Sequence, residues 1–201
     1  MAFDYLIQKD KIFGQIVNIY GLPQIIPSRP EGFETLVLLI LEQQVSIDSA
    51  KATFLRIRNA VDSISPENLV GYSDEEFRSL GVSRQKANYI RCLSNAILSK
   101  EIVLEKLSEK SADEIRAELI KLKGIGNWTI DIYLMFCLKK EDVFPIGDVA
   151  VVNTMKELLD IHDKSEMEMY AKNWVPYRTY ATFLLWHHYL IKRGRKITYQ
   201  Y

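Results

Sequence analysis

Apolar residues recur along this chain at the three-to-four-residue spacing of a helix, and no segment alternates apolar with polar residues between turn signals. A half-buried sheet needs that alternation, so the pattern predicts an all-α fold. Residues 4–20 repeat Leu6, Ile12, Phe13, Ile16, Val17 and Tyr20 as one helix, stopped by Gly21 and Pro23. Residues 32–43 are apolar on nearly every side, as expected of a buried helix. Ser73-Asp-Glu-Glu76 and Ser111-Ala-Asp-Glu114 are capping boxes, and Ser165-Glu-Met-Glu168 predicts a further helix start. The last helix spans Pro176 to about Lys192. A proline-rich loop, PQIIPSRPEG, is the candidate junction between subdomains.

At 201 residues the chain can form one sizeable domain or two subdomains sharing a core. Lys+Arg and Asp+Glu each number 26, which excludes a generic polycation. Any affinity for nucleic acid must then come from locally placed basic groups and backbone N–H donors. The N-terminus lacks a signal peptide's basic start and apolar run, and no apolar stretch is long enough to span a bilayer. The expectation is an intracellular protein with no membrane partner. Cys92 and Cys137 are too far apart to suggest a metal or redox motif, and His162, His187 and His188 lack metal-ligand spacing. Lys192, Arg193, Arg195 and Lys196 read as a solvated basic tail, with added attraction for phosphate as the alternative.

One stretch, LIKLKGIGNWTIDIYLMFCLKKEDVFPIGD, departs from plain helix packing. Leu119, Ile120 and Leu122 end one helical pattern, and Trp128, Ile130, Ile132, Leu134 and Met135 resume another. Between them Gly124, Ile125 and Gly126 make a tight turn, and glycine suits both ends because positive φ is open to it. N–H groups at the start of the second helix lack partners inside that helix, so they favour an anion such as a nucleic-acid phosphate. An ordinary αα-hairpin would explain the glycines equally well. Asp148 follows Phe144-Pro145-Ile146-Gly147 and precedes the apolar run Val149–Val152. It suits the cap of the next helix, and a carboxylate fixed there can also stabilise positive charge.

Together, LKGIGNWTIDIYLMF and FPIGD resemble the helix-hairpin-helix and Gly/Pro-Asp signature of the DNA glycosylase superfamily. PYRTYATFLLWHHY resembles the P-x-R-x-x-A-x-x-x-x-W segment of its 3-methyladenine glycosylase II branch, and the resemblance extends over residues 30–190. It implies one domain over 1–201, with helical subdomains at 34–135 and at 1–33 together with 136–201, and an active-site cleft between them. This would be a compact form without the N-terminal β-rich domain of larger members.

By the same resemblance Asp148 is the catalytic aspartate, and Trp128 and Trp186 line the base pocket. The pocket tyrosine expected one turn after Trp128 is replaced by Ile132, with Tyr133 beside it as the pocket candidate. Gln44, in the Q-x-V-S loop, matches the residue that enters the duplex in place of an extruded base. Lys123, Gly124, Ile125 and Gly126 would meet DNA phosphates, although the family often has proline where Lys123 stands. Members also bind Na+ or K+ through hairpin carbonyls, here those of Ile120, Leu122 and Ile125. The four C-terminal cysteines that hold an iron–sulfur cluster in some members are missing after Cys137. In the segment from Gly81 to Ala87, resembling G-x-S-x-x-K-A, a packing role is expected.

The implied chemistry has a physical basis. Alkylation at N3 or N7 makes a purine cationic, and a cation over an aromatic face gains about 0.5–2 kcal/mol. The same charge weakens the glycosidic bond, which suits a site with no evident histidine acid. Bifunctional members carry a lysine nucleophile two residues after the second hairpin glycine, where this chain has Trp128. The expectation is therefore a monofunctional enzyme, monomeric and needing no cofactor, that removes 3-methyladenine or 7-methylguanine from double-stranded DNA and leaves an abasic site. Such a repair enzyme would be cytoplasmic in a prokaryote and nuclear in a eukaryote. The alternatives are a glycosylase for uracil, hypoxanthine or an oxidised purine, and a non-catalytic DNA-binding hairpin module.

Overall fold

The structure is a computed structural model describing residues 1–195; Lys196 of the basic tail lies outside the described residues. Helices α1 (Ala2–Lys9), α2 (Lys11–Tyr20), α3 (Phe33–Glu42), α4 (Ile47–Ala60), α5 (Pro66–Val70) and α6 (Asp74–Ser79) form the first part of the chain. They are followed by α7 (Arg84–Leu98), α8 (Ala112–Leu119), α9 (Asn127–Phe136), α10 (Val149–Leu159), α11 (Lys164–Ala171) and α12 (Arg178–Lys192). Short 3-10 turns cover Leu104–Glu109 and Lys172–Trp174, and no strand occurs among the described residues. The fold is all-α. No helix among those residues is long and apolar enough to cross a membrane.

The helices form two compact units. One runs from Arg29 to Tyr133, and the other joins Met1–Ser28 to the described chain from Leu134 to Arg195.

In the Arg29–Tyr133 unit, α3 is the buried helix: every residue from Thr35 to Leu41 is buried, which explains its near-continuous apolar sequence. It packs on α4 and α7, and α7 carries α5 and α6. Helices α4 to α8 each open on a serine, and in each the hydroxyl oxygen accepts the N–H three residues on. A cap of this kind contributes about 1 kcal/mol. Ser73 with Glu76 and Ser111 with Glu114 close the two expected capping boxes.

In the other unit α12 packs against α10, α2 and α1. The single helix expected over residues 4–20 is two helices. Asp10 breaks it with an extended backbone, φ −140° and ψ 122°, and its carboxylate accepts Ile12 N–H as the cap of α2. The other carboxylate oxygen of Asp10 accepts the indole N–H of Trp174 at 2.9 Å. Trp174 is fully buried, with Phe13, Phe144 and Tyr170 edge-on to it. Burial, and then the Asp10 carboxylate, push the Tyr170 hydroxyl up to about 12. The sequence pattern missed the break because the apolar positions stay in helical phase across it. A second difference concerns α11, whose cap is Asp163 and not Ser165. The Asp163 carboxylate accepts both Ser165 N–H and Glu166 N–H, and a charged acceptor outcompetes a hydroxyl for that place.

Candidate active site

The glycine hairpin lies in the Arg29–Tyr133 unit. After α8, Leu122 N–H donates to Leu119 O and Ile125 N–H to Leu122 O, both at 3.0 Å, and Ile130 N–H to Gly126 O closes the first turn of α9. Leu122 and Ile125 are buried, whereas Lys121, Lys123, Gly126 and Asn127 are exposed. The turn therefore presents two lysines and main chain outward. Ile125, which the sequence placed among the phosphate contacts, is only 3% exposed and adds little to that surface. Arg116 clasps the two helices, donating to Asn127 Oδ1 at 3.2 Å and to the buried Asp131 at 2.5 Å.

The two glycines are not equivalent, contrary to the expectation that both need positive φ. Gly124 has φ +91°, and a Cβ there would lie 2.1 Å from the Tyr89 ring. Gly126 lacks a positive φ, and a Cβ built on it meets nothing within 4 Å. Nothing among the described residues requires glycine at 126.

The turn after α3 is anchored residue by residue up to Gln44. Lys86 Nζ donates to Leu41 O at 2.7 Å, capping the C-terminal end of the buried helix, and burial pushes its ammonium below the ordinary lysine range. Arg29 and Glu42 form a two-pronged pair at 2.8 and 2.6 Å with both side chains less than 10% exposed. Gln43 Nε2 donates to Gly124 O at 2.8 Å and Thr129 Oγ1 at 3.1 Å. Gln44 is exposed and sits at φ +58°, a left-handed conformation that costs a non-glycine residue about 1 kcal/mol or more. Trp128, in the first turn of α9, is half-buried. Tyr133 is not available as a pocket wall: it is fully buried and its hydroxyl oxygen accepts Gly32 N–H at 2.9 Å. Adjacency to the expected tyrosine position misleads here because one residue along a helix turns the side chain by about 100°.

Asp148 and Trp186 lie in the other unit. Asp148 caps α10 as expected. Its Oδ1 accepts Ala150 N–H at 2.9 Å, Val151 N–H at 3.0 Å and the Trp186 indole N–H at 2.9 Å. The segment leading to it is pinned by the start of α12. Arg178 donates to both Asp142 carboxylate oxygens at 2.7 and 2.8 Å, and Thr179 Oγ1 accepts Val143 N–H and donates to Lys140 O. Burial raises the Asp142 carboxyl, but the Arg178 hydrogen bond and charge outweigh it and hold the group below its usual range. Asp148 N–H then donates to Pro145 O, closing the turn that delivers the carboxylate. Trp186 is buried, flanked by Phe136 at 5.7 Å and Phe183 at 5.9 Å. Among the described residues no group of three or more His, Cys, Asp and Glu side chains could hold a metal ion.

A helical hairpin with exposed lysines, a glutamine held in a left-handed turn, and a helix-capping aspartate bonded to a tryptophan define the class. A model of the HhH-GPD superfamily of base excision DNA repair proteins matches residues 37–179, and the chain belongs to that superfamily. It is 29% identical over 184 residues to the DNA-3-methyladenine glycosylase of Bacillus subtilis, covering 84% of this chain and 60% of that protein. The chain spans 58% and 60% of two B. subtilis relatives. Among solved structures, the 3-methyladenine DNA glycosylase of Schizosaccharomyces pombe in complex with abasic DNA superposes with a TM-score of 0.83 at 26% identity, over 92% of this chain and 94% of that one. DNA-3-methyladenine glycosidase of Bacillus halodurans superposes with a TM-score of 0.76 at 33% identity, over 90% and 85%.

Proposed function

We propose that this protein is a DNA glycosylase that flips alkylated purines, such as 3-methyladenine and 7-methylguanine, out of double-stranded DNA and hydrolyses their N-glycosidic bond. The observation that carries the reading is Asp148, held by one oxygen on two backbone N–H groups and the Trp186 indole. Similarity to relatives named for 3-methyladenine supports the choice of base.

In this mechanism the exposed hairpin meets the phosphate backbone through first-turn N–H groups of α9 and Lys123, and the open space at Gly126 gives that backbone room for close approach. Gln44 enters the stack as the damaged base leaves it and bonds the orphaned partner, which lowers the cost of extrusion. Trp128, half-buried, offers aromatic surface to a cationic purine, whereas Trp186, 8% exposed, has little surface of its own to add. When the glycosidic bond breaks, its electron pair returns to that purine, which leaves neutral and needs no proton donor. Positive charge develops on the sugar, the Asp148 carboxylate stabilises it, and water adds at C1′, its surplus proton passing to solvent. Trp128 at the position of the imine-forming lysine supports a monofunctional enzyme and an uncut abasic strand. A monovalent cation at the hairpin would be held by the carbonyls of Ile120, Leu122 and Ile125; Leu122 O keeps a second lone pair after accepting Ile125 N–H.

The test is base release from duplexes containing 3-methyladenine or 7-methylguanine, with uracil and hypoxanthine duplexes and Asp148→Asn protein in parallel. Release of methylated purine by the wild type, lost in the variant, with an intact strand, is the expected result. Methylated purine released at an unchanged rate by Asp148→Asn would overturn the assignment.

A further inference from the structure

We propose that Gln43 is a positioning residue that ties the intercalating turn to the DNA-binding hairpin, so that engagement of phosphates and insertion of Gln44 act as one event. The inference rests on the glycosylase reading above and adds to it a residue that touches neither base nor sugar.

Gln44 is exposed at φ +58°, and a glutamine holds that conformation only where its surroundings impose it. The residues before it supply the constraint. Lys86 fixes the Leu41 carbonyl, and Arg29 fixes the Glu42 carboxylate. Both bonds hold the turn to its own surroundings. Gln43 differs, because its amide donates at 2.8 Å to the carbonyl of Gly124 and at 3.1 Å to the hydroxyl of Thr129. Gly124 is the hairpin glycine with positive φ, packed so closely on Tyr89 that no Cβ fits between them. Thr129 lies in the first turn of α9, whose N–H groups are the ones proposed above to meet a phosphate. One primary amide, using both of its N–H donors, therefore bridges the hairpin and the residue immediately before the wedge. Downstream, Ser46 accepts Ser49 N–H and starts α4, leaving Gln44 and Val45 as the exposed apex. Pre-ordering the apex on the hairpin removes entropy that insertion would otherwise have to lose.

The experiment is a double-mutant cycle on single-turnover release of 7-methylguanine. Gln43→Met keeps the length of the side chain and removes both donors; Gln44→Ala removes the wedge. Each is measured on duplexes with the lesion paired and with the lesion opposite an abasic site, where little opening work remains. With the lesion paired, Gln43→Met is expected to slow release about tenfold. Opposite an abasic site it should return to within about twofold of wild type. The double variant should be no slower than Gln44→Ala alone, because Gln43 acts through Gln44. Thr129→Val, which removes one of the two acceptors and is the second variant should Gln43→Met not fold, is expected to show a smaller loss with the same rescue. Multiplying effects, or an equal loss on both duplexes, would overturn the coupling while leaving the glycosylase reading intact. Failure of the wild type to release methylguanine from either duplex would instead remove the reading on which the coupling rests.

Discussion

The indole N–H of Trp186 donates to Asp148 Oδ1 at 2.9 Å across 38 residues of sequence. That single bond gives Trp186 a part in holding the carboxylate. Trp186→Phe keeps a ring and deletes the donor. Hydrogen bonds to charged groups contribute about 1.5–3 kcal/mol, so release of 3-methyladenine by this variant is expected to slow by roughly tenfold or more. Trp186→Ala also empties a buried site and should lower unfolding free energy by about 3–5 kcal/mol. Single-turnover release together with chemical denaturation separates the two losses.

Asp148 has a capping role and a charge, and substitution can divide them. Asparagine caps a helix about as well as aspartate, so Asp148→Asn should melt close to the wild type while excision falls by about a hundredfold or more. Asp148→Ala should lose excision and, in addition, about 1 kcal/mol of stability. Thermal unfolding of the pair, beside their excision rates, checks both halves.

The hairpin glycines should respond in opposite ways. Gly124→Ala meets the Tyr89 ring from a backbone at φ +91°, and a loss of about 2 kcal/mol or more is expected. Gly126→Ala meets nothing within 4 Å among the described residues. Its unfolding midpoint should stay near wild type while affinity for an abasic duplex drops. A Gly126→Ala protein that binds DNA normally would show that the space beside this glycine is not used by the ligand.

Arg29 and Glu42 form a buried pair next to the turn at Gln43 and Gln44, and one partner without the other leaves a charge without its match. Arg29→Met or Glu42→Gln is expected to destabilise the protein by about 3–5 kcal/mol, and replacing both with apolar residues should recover much of that. Urea denaturation of the two single variants and the double variant measures the recovery directly.

His188 sets a pH limit on stability. It is buried beside Tyr20, its Nε2 lies 3.2 Å from Glu157 Oε1, and its Nδ1 has no hydrogen-bond partner among the described residues. Burial, and then the charge of Arg193, push its pKa below the ordinary 6.5. Glu157 would favour the charged ring, but Lys192 and Arg193 already engage that carboxylate. The unfolded chain therefore takes up the proton more readily than the folded one. This contribution is complete above about pH 6.5 and declines as pH falls from there toward the lower folded value. Melting curves at pH 7.5 and 5.5 should show the decline, and His188→Leu should flatten it.

Much of this architecture was legible from residue types alone. The helical period, the serine caps at Ser73 and Ser111, the glycine hairpin and the cap at Asp148 are local, since backbone preference and hydrogen bonding over three or four residues decide them. The helical period was enough to indicate an all-α fold, and the resemblance of LKGIGNWTIDIYLMF and FPIGD to a family signature was what indicated the glycosylase superfamily. The break at Asp10 was also local but hidden, because the apolar phase continues through it. Other features depend on residues far apart in the chain. Gln43 reaches Gly124 across 81 residues, Gly32 finds the Tyr133 hydroxyl across 101, and Trp186 finds Asp148 across 38. No periodicity encodes such pairings. Local chemistry determined which helices form and where they start, whereas packing of distant segments decided which glutamine braces the turn, which glycine needs to be glycine, and which tryptophan holds the carboxylate.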